Sequence, residues 1–205
     1  MTSPKMSDDA VQKATGHAWS HWFDRLDALD ATSMSHKDIA HHLHTREGVS
    51  GWWAQSITVA YERARGMRAV GETTRGFQIS KQKTFLPDAS RAWELLTSAE
   101  GLAAWLGAGA PQSLKEGQAF ALDKGLRVEV RRIRPGESIR LGWNPPQHDP
   151  TQVVIAWVQT SSSGKGTIAF SHENLPDAQA REEARSRWAD ALKALHTIAR
   201  ESPSR

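Results

Sequence analysis

The sequence predicts an α+β protein in which a small all-helical domain precedes a larger domain of antiparallel strands and helices. Before Gly76, apolar residues recur at spacings of three and four, which is typical of amphipathic helices. From Phe77 onward, short segments alternate apolar and polar residues, as strands with one buried face do. The expected organisation is a frayed N-terminus over 1–14, a helical domain over 15–76 and a strand-rich domain over 77–202.

Composition narrows the protein's class. The chain has 205 residues, of which 39% are hydrophobic and 24% charged, and it contains no cysteine. Disulfides, thiolate metal sites and a cysteine nucleophile are therefore excluded. No apolar run approaches the roughly 20 residues that span a bilayer, and the polar start of the chain is unlike a signal peptide. We expect a cytoplasmic protein with no membrane partner.

The helical domain is predicted to contain three helices. Ser35 is expected to cap the second helix, with Asp38 three residues later as an imperfect capping box. The third helix opens with the adjacent pair Trp52 and Trp53, and we expect at least one of these rings to be buried. The expected helices cover 8–29 or 15–29, 35–48 and 50–66.

The second and third helices, joined by a Gly-Val-Ser turn, also have the order of a helix-turn-helix. A DNA-reading helix needs exposed polar residues at its N-terminal end, whereas this end is Trp52-Trp53-Ala54. Residues 1–76 are neutral overall, so the net charge of +3 falls on the rest of the chain. Nucleic-acid binding needs a basic surface and is the least favoured alternative; a packed scaffold is preferred.

Four histidines in the second predicted helix are candidate metal ligands: His36, His41, His42 and His44. Two histidines on one helical face can bind zinc, but usable sites add a third ligand. No HExxH pattern is present. We therefore expect a solvated helix surface, no metal and no cofactor.

The run SHKDIAHHLHTREGVSGWWAQSITVAYERARG carries a family resemblance. Its SHK, GVS-WWAQ-TV and YE-ARG elements resemble those of the DUF4287 family of small bacterial helical domains. The resemblance covers about residues 15–76 and implies no particular activity.

The second domain is predicted from strand periodicity and turn residues. A strand over 77–85 is followed by two short helices, ASRAWELLTS and AEGLAAWLG. Two hairpins follow, one around Pro135-Gly136 and one around the SSSGKG turn. Apolar residues between Ala184 and Ile198 then define a long terminal helix over about 178–201.

This order resembles the helix-grip fold of the SRPBCC (START-like) superfamily, in which a curved sheet wraps the last helix. A narrower likeness is carried by these residues: Ala92 to Leu96, Leu102, Trp105-Leu106, Gly166-Thr167, His172, Leu175-Pro176, Trp188, Leu192 and Leu195. With them the sequence is similar to the branch homologous to the activator of Hsp90 ATPase (AHSA1-like).

The resemblance implies a cavity between the sheet and the terminal helix that holds a small hydrophobic molecule. Such pockets are mostly apolar, with a few placed polar groups. His172 is the candidate polar group. The same large side chains could equally fill the space, because protein interiors pack at high density. The candidate cavity residues are Trp105, Trp143, Trp157, Phe170, Trp188, Leu192 and Leu195.

A non-enzymatic binding protein is the function that we expect. The alternative is an SRPBCC-type enzyme of the cyclase or hydrolase kind, for which His172 with Glu129 or Glu173 would supply acid–base groups. No matching nucleophile stands out, so no catalytic residue is predicted. A co-chaperone-like role with a protein partner and antibiotic resistance by ligand capture also stay open.

Overall fold

The computed structural model of the chain describes residues 6–146 and 151–201. The chain divides into two compact units, with the boundary between Val70 and Gly71. Each unit has its own hydrophobic core.

The first unit is helical. Its described residues form α1 (Asp8–Thr15), α2 (Trp19–Ala28), a short 3-10 helix (Ala31–Ser33), α3 (His36–Thr45) and α4 (Gly51–Ala64).

The first predicted helix is in fact two helices. Ser7 caps α1 by accepting a hydrogen bond from the Ala10 N–H, and Gly16, with a φ of +84°, ends it in the left-handed conformation. The expectation of a frayed segment over 1–14 was wrong for its described part, because Val11 of α1 is fully buried. Residues 1–5 of that prediction lie outside the described residues.

The cap predicted for α3 is confirmed. The Ser35 hydroxyl oxygen accepts a hydrogen bond from the Asp38 N–H at 3.2 Å, and the Ser35 O–H donates to the Asp38 carboxylate at 2.6 Å. Ser50 precedes α4 but makes no side-chain cap.

The tryptophan pair at the start of α4 is divided between core and solvent. Trp53 is half-buried and packs against the core of the first unit, whereas Trp52 is 63% exposed. Consecutive residues of an α-helix point about 100° apart, so a helix that buries one face cannot bury both rings equally. The expectation that at least one ring is substantially buried is met only in part, by Trp53.

A buried tyrosine joins α4 to α2. The Tyr61 O–H donates to Asp27 at 2.8 Å, and Arg65 forms an ion pair with the same carboxylate. The hydrogen bond from Arg65 lowers the pKa of Asp27. Burial, together with the hydrogen bond to Asp27, raises the pKa of Tyr61 to about 12.

In its described residues, the second unit combines one curved antiparallel sheet with three α-helices. The strand order is β1-β2-β7-β6-β5-β4-β3, and the last helix is 24 residues long. The elements are β1 (Glu72–Thr73), β2 (Gly76–Leu86), α5 (Ala89–Thr97), α6 (Ala99–Leu106), β3 (Ala119–Ala121), β4 (Arg127–Arg134), β5 (Ser138–Asn144), β6 (Gln152–Thr160), β7 (Gly166–Leu175) and α7 (Ala178–Glu201), with a 3-10 turn at Asp123–Gly125.

Local sequence explains where these elements begin and turn. Asp88 caps α5 by accepting from the Arg91 N–H at 2.9 Å, and Ser98 caps α6 by accepting from the Gly101 N–H at 3.0 Å. Gly136, at a φ of +75°, makes the tight turn between β4 and β5.

The core of the second unit lies between the sheet and its helices. Alternate residues of β4 to β7 face inward, and α7 contributes Ala184, Trp188, Ala191, Leu192 and Leu195 to the same cluster. The arrangement is the predicted helix grip, with α5 and α6 beside the long helix. Within the described residues, none of the helices is both long and apolar enough to cross a membrane.

Candidate functional site

Five large rings meet where α7 crosses the inner face of the sheet. We call this set the aromatic cluster: Trp105 of α6, Trp143 of β5, Phe170 and His172 of β7, and Trp188 of α7. The Phe170 and Trp188 rings stack 4.8 Å apart, and the Trp105 ring lies 5.4 Å from that of Phe170. The rings therefore touch one another across the interior of the unit.

His172 is the polar member of the cluster. It is only 3% exposed, and its Nε2–H donates to Gln152 Oε1 at 2.8 Å. Burial, with a smaller contribution from the positive charge of Arg187, lowers the pKa of His172 to about 3. The ring is therefore neutral at pH 7. Because Nε2 carries the proton, Nδ1 is a hydrogen-bond acceptor.

The second nitrogen of His172 and the indole nitrogen of Trp188 share a property. Both atoms are buried and have no hydrogen-bond partner among the described residues. Trp105 shows the ordinary arrangement, since its Nε1–H donates to the Leu96 carbonyl at 3.0 Å. Most buried polar atoms in proteins are paired, so the two unpaired nitrogens distinguish this part of the core.

Arg187 forms the edge of the cluster. Its guanidinium lies 4.9 Å from the Trp143 ring centre and 5.5 Å from that of Trp188. Its Nη2–H donates to the Leu106 carbonyl at 2.8 Å. Partial burial of the guanidinium lowers the pKa of Arg187, although the residue retains exposed surface. Arg187 thus separates the aromatic cluster from solvent.

The structure brings most of the predicted cavity residues together. Trp105, Trp143, Phe170 and Trp188 belong to the cluster, and Leu192 and Leu195 are buried in the same core. In the structure these side chains pack against one another.

Trp157 is placed differently from the other candidates. Its strand neighbours Val154, Ala156 and Val158 belong to the inner core, and side chains alternate between the two faces of a sheet. Trp157 is therefore half-buried on the opposite face, where it cannot line the space under α7.

The two glutamates proposed for an acid–base role are also on the outer face. Glu129 lies between Val128 and Val130, both of which face the core; Glu173 follows the inward-facing His172. Glu173 instead lies 4.0 Å from Arg140. The structure therefore does not bring either carboxylate to His172.

Two functional candidates were missed by the sequence reasoning. Gln152 reaches His172 only because β6 pairs with β7, and the two residues are 20 positions apart in the chain. Arg187 stands beside Trp188 in sequence, and that adjacency was the one available signal. Its position over the ring of Trp143 depends on the tertiary fold.

The histidines of α3 contact different partners. His36 lies 3.0 Å from Glu62, and the ring of His44 lies 2.8 Å from the Val49 carbonyl. Across the part of the chain that the structure describes, no three His, Cys, Asp or Glu side chains come together as metal ligands.

The second unit has a helix-grip fold: a curved antiparallel sheet surrounds a long terminal helix, and a buried aromatic cluster lies between them. The model of the family described as "Activator of Hsp90 ATPase homolog 1-like protein" matches residues 88–200, more than half of the chain. The chain belongs to this family.

Solved structures share the fold at low identity. Protein MLL2253 from Mesorhizobium loti superposes with a TM-score of 0.53 at 18% identity, over 62% of this chain and 99% of that one. CalU16 from Micromonospora echinospora gives 0.52 at 20% identity, over 65% and 81%. DynU16, a protein in the dynemicin biosynthetic locus, gives 0.50 at 16% identity, over 60% and 47%. No curated protein matches the chain.

Proposed function

We propose that this protein is a non-enzymatic binding protein, and that its second unit holds a small, mainly apolar molecule within the aromatic cluster. The observation that carries the proposal is the pair of buried nitrogens without partners, on His172 and Trp188. A buried polar group left unpaired costs about 1–3 kcal/mol. A ligand that forms hydrogen bonds with both nitrogens would recover part of this cost. In a core that serves only for packing, the two polar atoms would lower stability with no compensating interaction.

The two nitrogens differ in what they require. The Trp188 indole N–H can only donate a hydrogen bond, and His172 Nδ1 can only accept one in its present tautomer. A hydroxyl group both accepts and donates, so it suits this pair. A carboxylate cannot donate and would face the lone pair of a neutral imidazole. We therefore expect an apolar ligand that carries a hydroxyl group.

Ligand access is the role that we assign to Arg187. Because the rings of the cluster are in contact, a ligand enters only if some side chains move apart. Arg187 is the exposed member, and its guanidinium covers Trp143 and Trp188. Its displacement would uncover both rings without unfolding the sheet.

A catalytic role for His172 has less support. A general base works best when its pKa lies near the operating pH, and burial holds the pKa of His172 at about 3. The hydrogen-bond partner of the ring is an amide rather than a carboxylate. These features suit a neutral hydrogen-bonding group that is held in place and does not exchange protons.

The test compares 2-naphthol with 2-naphthoate, which share a ring system and differ in the polar group. At ligand concentrations of 100 times the dissociation constant, 2-naphthol should add about 2.7 kcal/mol to the unfolding free energy. It should also shift the NMR signal of the Trp188 indole N–H. Trp188→Phe should abolish the gain, and Trp157→Phe, on the outer face, is the matched control. No stabilisation by 2-naphthol, a shift of the Trp188 signal with 2-naphthoate as large as with 2-naphthol, or equal stabilisation of wild type and Trp188→Phe by 2-naphthol would contradict the proposal.

For the first unit, the likeness of residues 15–76 to the DUF4287 family stays a prediction. A cytoplasmic location of the protein stays a prediction as well.

A further inference from the structure

A groove lies near the C-terminal end of α7, away from the aromatic cluster. Its volume is about 280 Å³, and it is formed by the end of β2, by α5 and by the last two turns of α7. We call it the terminal groove. Its apolar lining includes Phe85, Leu86, Leu95 and Ala199. The volume is near the lower end of the range for small-molecule sites, roughly 300–1,000 Å³.

His196 gives the terminal groove a defined polar group. Lys83 Nζ lies 3.2 Å from His196 Nδ1, and an ammonium group can only donate a hydrogen bond. Nδ1 must therefore accept, which places the proton of the neutral ring on Nε2. The Phe85 ring packs edge-on against the imidazole at 5.2 Å and helps to hold its orientation. His196 lines the groove, so its Nε2–H is the donor that it offers to a ligand.

The charges around the terminal groove favour an anion. Arg91 and Glu94 form an ion pair within α5, so they largely neutralise each other. Glu100 and Arg200 also line the groove, and Lys83 stands behind the imidazole of His196. The balance is one positive charge, with the cation of Lys83 next to the one ring that offers a donor.

We propose that the terminal groove binds a small amphipathic carboxylate. The apolar chain packs against Phe85, Leu95 and Ala199. The carboxylate accepts the Nε2–H of His196 and is held by the charge of Lys83. This site is distinct from the cluster around Trp188 and takes a ligand of opposite polar chemistry, an anion rather than a neutral hydroxyl compound.

Octanoate and octan-1-ol are suitable probes, because they share a chain and differ in the head group. Isothermal titration of the full chain should show octanoate binding about 5- to 10-fold more tightly than octan-1-ol, since hydrogen bonds to charged groups are the stronger ones. In amide NMR spectra, the Ala199 signal should move while the Trp188 indole signal stays in place.

Two variants locate the site. Ala199→Phe fills the groove and should weaken octanoate binding at least about 10-fold, since a bulky side chain then occupies the ligand's volume. Ala189→Phe, at an exposed position of the same helix, is the matched control and should leave the affinity unchanged within about 2-fold, because surface substitutions are usually neutral. Thermal unfolding checks that both variants fold.

The head-group comparison needs no variant and keeps the proposal falsifiable if Ala199→Phe fails to fold. No octanoate binding to the wild type would overturn the proposal. Equal affinity for octanoate and octan-1-ol would overturn it as well, and so would unchanged octanoate affinity in a folded Ala199→Phe protein. A shift of the Trp188 signal alone would place octanoate in the interior and contradict the proposal for the groove. The 2-naphthol result is independent of all these outcomes.

Discussion

Burial of His172 as a neutral ring makes the second unit less stable in acid. The pKa of its imidazole is about 3 in the folded protein and about 6.5 in an unfolded chain. As pH falls below about 6.5, the unfolded chain takes up a proton that the folded protein refuses. The stabilisation is fully present above pH 6.5 and is lost progressively as pH falls towards 3.

The magnitude follows from the two pKa values. Between pH 7.5 and pH 5.0, the linkage from this one group amounts to about 2 kcal/mol of unfolding free energy. Urea unfolding followed by the Trp188 indole signal measures the second unit alone. The stability difference between wild type and His172→Phe should shrink by about 2 kcal/mol over this interval.

The substitution itself also lowers stability, in part because the hydrogen bond to Gln152 is lost. This cost is the same at both pH values, so it cancels when the two stability differences are compared. A direct check is available from the imidazole proton signals of His172, which should not titrate between pH 8 and pH 5. A midpoint near 6.5, or a stability difference that is the same at both pH values, would show that the folded protein does not hold the His172 imidazole neutral.

Three further predictions concern packing. Gly101→Ala should destabilise the second unit by more than about 2 kcal/mol in urea unfolding, because a Cβ there would clash with the Leu95 carbonyl oxygen. Trp22 is buried in the core of the first unit, so Trp22→Ala should cost that unit about 3–5 kcal/mol in urea unfolding. Trp52 is exposed, so Trp52→Ala should change stability by less than about 0.5 kcal/mol. Tyr61→Phe should cost about 1.5–3 kcal/mol in the first unit, because its hydroxyl donates to a carboxylate.

Each of these predictions has a contrary result. A Gly101→Ala protein as stable as the wild type would show that the start of α6 can move away from the Leu95 carbonyl without loss of stability. Equal losses for Trp22→Ala and Trp52→Ala would place the ring of Trp52 in the core. A neutral Tyr61→Phe would mean that the hydroxyl is equally well bonded to water.

Most of the fold was predictable because its signals are local. The alternation of Ile139, Leu141 and Trp143 identifies an inward face of β5 without any tertiary information. The caps at Ser35 and Asp88 follow from side chains that bond to N–H groups three residues later. The short strands β1 and β3 were missed, since two or three residues carry no readable period.

The site was harder to predict because its residues are brought together by strand pairing and by the packing of helices on the sheet. Trp143 and Trp157 look alike in sequence, and only their strand register separates the inner from the outer face. Gln152 and Arg187 become part of the site through contacts across strands and helices. In the terminal groove, the hydrogen bond between Lys83 and His196 likewise joins residues that are 113 positions apart.

We propose above that an apolar molecule with a hydroxyl group occupies the aromatic cluster. The most direct test is the measurement of intermolecular nuclear Overhauser effects in a complex with 2-naphthol. We expect contacts from the ring protons of the compound to the Trp188 indole N–H and to the His172 imidazole. A saturated complex in which neither side chain shows such a contact would contradict the claim.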